Sequence, residues 1–262
     1  MALNPTQRFS DRVADYVRYR PSYPAELITF LHETCAIPAH ARVADIGAGT
    51  GISTRLLLDA GHPVIAVEPN DAMRQAADQW LSGYPNYSSV AASAEQTTLP
   101  DASVDLVAAA QAFHWFDREQ ARREFARIVR PDGLIALFWN IRLFDGSAFL
   151  RGYEKLLRTH GVDYSTVAER YCGDAEMQDW FGSGLRHIGH FHYAQKLDFD
   201  SLRGRMLSSS YVPQVGHPNH EPIVQALKSL FDATARQGQV DFEYDTRIYV
   251  GTLAGYACLL NI

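Results

Sequence analysis

The chain predicts an α/β fold: a doubly wound, mostly parallel seven-stranded sheet flanked by helices, with antiparallel C-terminal strands and a helical cap. Three observations carry that expectation. Residues 42–68, RVADIGAGTGISTRLLLDAGHPVIAVE, read as strand, glycine loop, helix, strand and terminal acid. Short apolar runs then alternate with helix-length stretches as far as residue 139, the rhythm of right-handed crossovers. Beyond residue 140 that rhythm breaks, and two longer alternating runs follow.

The elements can be justified in order. Ser10 is placed to cap a helix reaching about Tyr19, and Pro24 to begin another reaching about Cys35. Between them Arg20-Pro21-Ser22-Tyr23-Pro24 is a stiff joint, because each proline turns its predecessor away from helical backbone. Val43, Ala44 and Ile46 form the first strand, and Ile52, Leu56 and Leu57 follow the glycine loop at helix spacing. Residues 64–67 are the second strand, ending on Glu68. Asn70 has the side chain of an N-cap for a helix bearing Met73, Ala76, Ala77 and Trp80. Residues 87–91 make a third strand, and 104–110 a fourth, apolar enough for burial on both faces. Asp117 caps an Arg-rich amphipathic helix, Pro131-Asp132-Gly133 is a turn, and residues 134–139 are the fifth strand. Residues 145–185 read as helical with glycine interruptions. Residues 187–197 alternate, with Ile188, His190 and His192 on one face. Residues 200–235 read as helical around a Pro/Gly/His loop at 213–218, and 242–253 alternate again. These two late strands are expected as an antiparallel hairpin pair.

At 262 residues, 47% hydrophobic and 21% charged, the composition is that of a soluble globular protein with one large domain spanning 1–262. The net charge of −6 and the lack of a basic stripe argue against nucleic acid as a partner. Cys35, Cys172 and Cys258 lie far apart without a C-x-x-C pair, which reads as free thiols in a reducing cytoplasm. No long apolar span suggests a membrane. His187, His190 and His192 lack an accompanying ligand set, and no metal is expected. Oligomeric state is left open.

The glycine loop carries the chemistry. Glycines let a backbone approach a ligand closely, and an acid at the next strand's end accepts hydrogen bonds from both hydroxyls of a ribose. Dinucleotide folds want G-x-G-x-x-G, whereas Gly47-Ala48-Gly49-Thr50-Gly51 is G-x-G-x-G, preceded by Asp45. That spacing resembles motif I of the class I S-adenosylmethionine (SAM) dependent methyltransferases, whose ligand has no phosphate and carries an ammonium that an acid favours. Further motifs match in order, type-11-like in character. AVEPN resembles the ribose-binding strand end, bringing in Glu68, Pro69 and Met73. Ser93-Ala94-Glu95 resembles the loop beside the adenine, although the usual residue at the Ser93 position is Asp or Asn. VDLVAAAQAFHWFD resembles the motif that sets Gln111 beside the methionine part of SAM. FSDRVADYVRYRPSYP, AQAFHWFD and SLRGRMLSSSYVP are similar to a branch of small-molecule methyltransferases of the trans-aconitate type.

The resemblance implies a Rossmann-like methyltransferase fold with an N-terminal helical lid (1–40), a SAM-binding core (41–140) and an acceptor side (141–262). It implies SAM as cofactor, a small-molecule acceptor with a carboxylate or other oxygen, and no membrane partner. His114 is the candidate general base or acceptor-orienting group, and Trp115 a pocket wall. Tyr16, Tyr19 and Arg20 share one helix face, expected as a lid over the SAM site, with Arg20 suited to the methionine carboxylate or an acidic acceptor, the tyrosines closing over the sulfonium, and Tyr16, Tyr19 and Tyr23 facing the substrate. Ser208, Ser209, Ser210 and Tyr211 are further acceptor-side candidates, each with a plainer role at a helix end. Two other readings stay open from sequence: a non-catalytic SAM-binding protein, and an NAD(P)-dependent oxidoreductase, which the glycine spacing disfavours.

Overall fold

The computed structural model describes residues 19–162, 164, 173–209 and 211–253. Among them seven strands form one sheet: β1 (Val43–Ile46), β2 (Val64–Val67), β3 (Tyr87–Val90), β4 (Val104–Ala110), β5 (Val129–Arg142), β6 (Leu185–Leu197) and β7 (Val240–Gly251). Their order is β3-β2-β1-β4-β5-β7-β6. The first five are parallel neighbours, and β7 runs antiparallel to both β5 and β6. The predicted fold class holds. The order reverses between β1 and β4, which opens a crevice at the carboxyl ends of these two strands.

Alternation of side chains explains the layers. On one face Ala44, Ile46, Val107, Ala109, Ile135, Leu137 and Trp139 pack with Phe113, Phe125 and Trp180. On the other, Val43, Val64, Leu106, Ala108, Ala136 and Phe138 pack with Tyr23, Leu27, Leu31 and Leu57. Covered on both sides, β1 and β4 are apolar almost throughout. A third cluster, with Phe149, Tyr153, Leu157, Leu202, Leu227, Phe242 and Tyr244, forms the C-terminal cap.

Helices start where the sequence offers caps. Helix α1 (Glu26–Thr29) continues into Phe30–Thr34, where the bonding widens so that Cys35 N–H reaches the Phe30 carbonyl. That π-type turn was not anticipated. Asn70 accepts from the Met73 amide to begin Asp71–Leu81, and Asp117 accepts from the Glu119 and Gln120 amides to begin Arg118–Ile128. Ser147 and Asp198 do the same for Ala148–His160 and Phe199–Leu207.

Two details differ from the sequence reading. Pro131-Asp132-Gly133 does not separate a helix from β5. Val104 pairs with Val129 and Leu106 with Leu134, so the turn is absorbed as a wide bulge opposite Asp105. A Cβ on Gly133 would come within 2.8 Å of the Asp105 carbonyl, so the bulge hugs its neighbour. The two late strands pair antiparallel as expected, with helices at 199–207 and 220–234 between them, but the last strand spans Val240–Gly251 and not 242–253. The helix expected from Ser10 lies outside the described residues apart from Tyr19. No helix among the described residues is long and apolar enough to cross a membrane.

Candidate active site

The glycine loop leaves β1 and crosses under the end of β2. The Gly47 and Ala48 amides donate to the Val67 carbonyl at 2.8 and 3.2 Å, fastening the loop to the neighbouring strand. Gly47, Gly49 and Gly51 all have positive φ, of 69°, 57° and 88°. Space also decides two of them. A Cβ on Gly47 would lie 2.6 Å from the Ala112 Cβ, and one on Gly51 would lie 2.8 Å from a Leu81 methyl. Gly49 faces open space except for the Met73 sulfur, 3.9 Å from such a Cβ. The tight neighbours are therefore protein at positions 47 and 51, while Gly49 leaves room beside the loop.

Two carboxylates frame this room. Asp45 is fully buried, and its Oδ2 accepts from Ser53 Oγ at 2.8 Å and Thr54 Oγ1 at 2.6 Å. Its Oδ1 has no partner, nor does the buried Thr50 hydroxyl. Burial pushes Asp45 up to about 6, against the pull of those two hydroxyls. Glu68, at the tip of β2, accepts from the Gly49 amide at 2.9 Å and the Asn70 amide at 2.8 Å. Burial raises Glu68 too, opposed by both amides and by Arg74. Two amide bonds leave lone pairs for a diol. Met73 is buried beside Gly49, and Pro69 is exposed at the turn between them. The orphaned oxygens, the strand-tip acid and the opening at Gly49 fit a ligand with a ribose and a cationic amino group.

The end of β4 forms the opposite wall. Gln111 takes φ 56°, an uncommon conformation for a side chain of this kind, held by its amide to Phe138 O at 3.0 Å. Its Nε2 donates to Asn140 O at 3.0 Å. Ala112 packs on Gly47, and Phe113–Trp115 form one 3-10 turn. His114 and Trp115 are half-buried there, their rings 4.8 Å apart. Ser93 is half-buried and Ala94 buried on the loop after β3. The Glu95 carboxylate accepts from the Asp117 amide at 3.0 Å, so its side chain tethers this loop to the helix after Trp115.

The N-terminal joint lies across β5 and the cap. Tyr23 is buried edge-on to Phe138 at 4.8 Å, making it a core residue of the sheet face. Arg20 Nη2 donates to Ser208 O at 3.0 Å, and Tyr19 covers Gly204 so closely that a Cβ there would meet its ring. Ser209 is buried and accepts from Arg205 Nη1 at 3.2 Å. Tyr211 packs its ring on Tyr164 at 5.0 Å. Tyr16 and Ser210 lie outside the described residues. Joint and cap are thus brought together, and Asn140 links the joint to the Gln111 wall. Asn140 donates to Ser22 O at 2.8 Å, accepts from Thr246 Oγ1 at 2.6 Å, and receives Gln111 on its carbonyl. The sequence reading missed Asn140. Its signal was a polar residue directly after the apolar run of β5, where open sheets bind ligands. Among the described residues no group of three or more His, Cys, Asp or Glu is arranged to hold a metal. His190 and His192 instead face the carboxylates of Asp245 and Glu243 across the strands.

A strand-tip acid, a left-handed glycine loop and a crevice where strand order reverses define a nucleoside-binding α/β enzyme domain. Comparison with known proteins narrows this. The methyltransferase domain family matches residues 44–137. An uncharacterized methyltransferase-like protein of Schizosaccharomyces pombe is 30% identical over 236 residues, 89% of each chain. A second uncharacterized methyltransferase of that yeast is 36% identical, covering 92% of this chain and 95% of its own. The fold matches a candidate type II methyltransferase from Anaeromyxobacter dehalogenans with a TM-score of 0.66 at 23% identity, over 90% of this chain and 98% of the other. The chain belongs to the class I SAM-dependent methyltransferases, and SAM is its cofactor.

Proposed function

We propose that the chain methylates a small acidic molecule on a carboxylate or other oxygen, the chemistry of the trans-aconitate-type branch. Glu68 would hold the ribose hydroxyls of SAM, Asp45 and Thr50 would face its methionine part, and the Ala94 amide would meet the adenine. SAM supplies an electrophilic methyl group, and in-line displacement draws most of its acceleration from alignment and dryness. The protein's share is therefore to orient and enclose. Gln111 is fixed at both ends, by its amide and by its side chain, so the wall it forms is rigid. His114 and Trp115, half-buried on the next turn, would orient the acceptor, and His114 would take its proton where one must leave.

The observation that supports a small acceptor is the closure around Asn140. Its side chain holds the N-terminal joint (Ser22) and β7 (Thr246), and its backbone carbonyl receives Gln111, so three segments meet on one residue. A crevice edge tied together in this way would suit a small acceptor better than a macromolecule. The net charge of −6 supports the same reading against nucleic acid. A buried Cys35, its thiol pushed up to about 11 by burial, is an inert free thiol and agrees with a cytoplasmic setting.

The test is transfer of labelled methyl from SAM to a library of metabolites, with protein and nucleic acid as further acceptors. A methylated small acid is expected, and label confined to macromolecules would overturn the reading. On the acceptor so found, His114→Ala should lose turnover at unchanged SAM affinity, whereas full turnover would remove His114 from the chemistry.

A further inference from the structure

The cap contains a buried arginine that no carboxylate among the described residues neutralises. Arg205 is 6% exposed, and its side chain reaches only neutral groups: the Tyr244 hydroxyl at 3.3 Å, Ser209 Oγ at 3.2 Å and the face of Phe242 at 5.4 Å. Among the described residues it makes no ion pair. Beside it Arg142 sits over the Tyr153 ring at 5.3 Å and pairs with Glu154, whose single charge is shared with Arg158 at 2.7 Å. Tyr153, 1% exposed, lies within the electrostatic reach of both arginines and of Tyr211, and its hydroxyl has no hydrogen-bond partner. Arg142 and Arg158 thus share one carboxylate, and the buried Arg205 pairs with none among the described residues.

This arrangement is costly unless something completes it. A buried cation without a counter-charge gives up hydration that aromatic faces and hydroxyls replace only in part, and a buried orphan hydroxyl adds to that cost. Protein cores elsewhere avoid such residues. Position links the cluster to the crevice. Arg142 and Tyr244 are a register pair, one step beyond the pair Asn140 and Thr246 on the same sheet face. Two residues of strand put Arg142 about 7 Å outward from the Asn140 that holds Gln111.

We propose that Arg205 and Arg142, with the Tyr153 hydroxyl, form an oxyanion anchor for the acceptor, binding a carboxylate or phosphate of the substrate beside the one guanidinium of the pair, Arg205, that meets no carboxylate among the described residues. The proposal rests on the reading of the acceptor as a small molecule. It adds a division of labour. An oxyanion held between guanidiniums loses basicity, and nucleophilicity follows basicity, so the anchored group is not the one methylated. The acceptor therefore carries two functions: the oxyanion held in the cap, and a second nucleophilic atom lying toward Gln111 and His114.

Calorimetry on the full chain loaded with S-adenosylhomocysteine tests this, using citrate, inorganic phosphate and the neutral triethyl citrate as probes. Citrate or phosphate should bind and the triester should not; the stronger of the two identifies the anchored group. Arg205→Gln should weaken the bound anion by about a hundredfold, as loss of one partner of a buried charge pair does. Where that variant fails to fold, Arg205→Lys and Tyr153→Phe decide. Tyr153→Phe removes an orphan hydroxyl, so it should keep the anion-free melting temperature and still weaken anion binding about tenfold, the worth of one hydrogen bond to a charged group. Failure of both anions to bind wild-type protein would overturn the anchor, as would equal binding to Arg205→Gln. Methyl transfer to a neutral small molecule, untouched by Arg205→Gln, would sink the anchor and leave the small-molecule reading standing. Anion binding that depends on Arg205, with methyl transfer confined to macromolecules, would keep the anchor and sink the acceptor reading.

Discussion

Replacing Asp45 by Asn should remove a pH-dependent instability and, with it, the affinity for SAM. The carboxyl is fully buried, and burial lifts it from the ordinary 3.8 to about 6. At roughly 1.4 kcal/mol per pH unit, that lift makes the ionised form cost the folded state about 3 kcal/mol. The sign follows from proton binding. Between about pH 4 and 6 the native state holds a proton that the unfolded chain has released, so stability is greatest on the acid side and declines as pH rises through about 6. The asparagine side chain of Asp45→Asn keeps an oxygen for Ser53 and Thr54 and carries no charge. Its amide hydrogens would occupy the place of the partnerless Oδ1, at a cost of about 1–2 kcal/mol. Other groups titrate in the same range, so the informative quantity is the difference between variant and wild type. Urea unfolding of the ligand-free chain from pH 4 to 8 should show that difference growing by about 3 kcal/mol in the variant's favour, with a net gain of about 1–2 kcal/mol at pH 7. Calorimetry should show wild-type SAM affinity rising through about pH 6, and a flat profile for the variant, weaker by roughly tenfold or more. Parallel stability curves for the two proteins would refute the argument, and so would a variant less stable than wild type at pH 7.

Glu68→Gln should weaken SAM binding by roughly 10- to 100-fold, the range for hydrogen bonds to a charged acceptor. The same substitution should leave the affinity for a 2′,3′-dideoxy analogue unchanged, and an equal loss with both ligands would remove the ribose from the explanation. Gly47→Ala combines a φ of 69° with a Cβ 2.6 Å from that of Ala112, so it should destabilise the fold by about 2–5 kcal/mol in urea titration. Gly49→Ala has a similar φ but only a 3.9 Å contact, and should cost about 1–2 kcal/mol. Equal losses at the two positions would mean that backbone conformation alone, not the close approach of the β4 loop, requires Gly47.

The half of the site that was legible in the sequence is the half built from local order. Asp45, the three glycines and Glu68 stand within one strand-loop-helix-strand unit, and backbone bonds such as Gly47 to Val67 fix them with little help from elsewhere. Caps at Asn70 and Asp117 were readable for the same reason, since each acts within three residues of itself. What escaped depends on distant partners. Tyr23 was expected to face substrate, yet it packs on Phe138, a neighbour that only the folded sheet supplies. Glu95 lies in the expected loop but turns its carboxylate to the Asp117 amide. Arg205 stands in the quoted segment SLRGRMLSSSYVP and looked like any helix cation. That it meets no counter-charge among the described residues emerges only when β7 brings Tyr244 and Phe242 against it.

The proposed donor side, at the glycine loop, and the cap are built by different physics. The donor side rests on backbone amides and glycine conformations, which tolerate few substitutions because each replaces a fixed hydrogen bond or a filled space. The cap rests on side-chain charges and hydroxyls around an aromatic core, where one arginine or tyrosine can change while the sheet stays whole. Asn140 uses its amide nitrogen, its amide oxygen and its backbone carbonyl on three different segments. The family-matched stretch, residues 44–137, ends three residues before Asn140, so it holds the donor-side motifs and none of the cap.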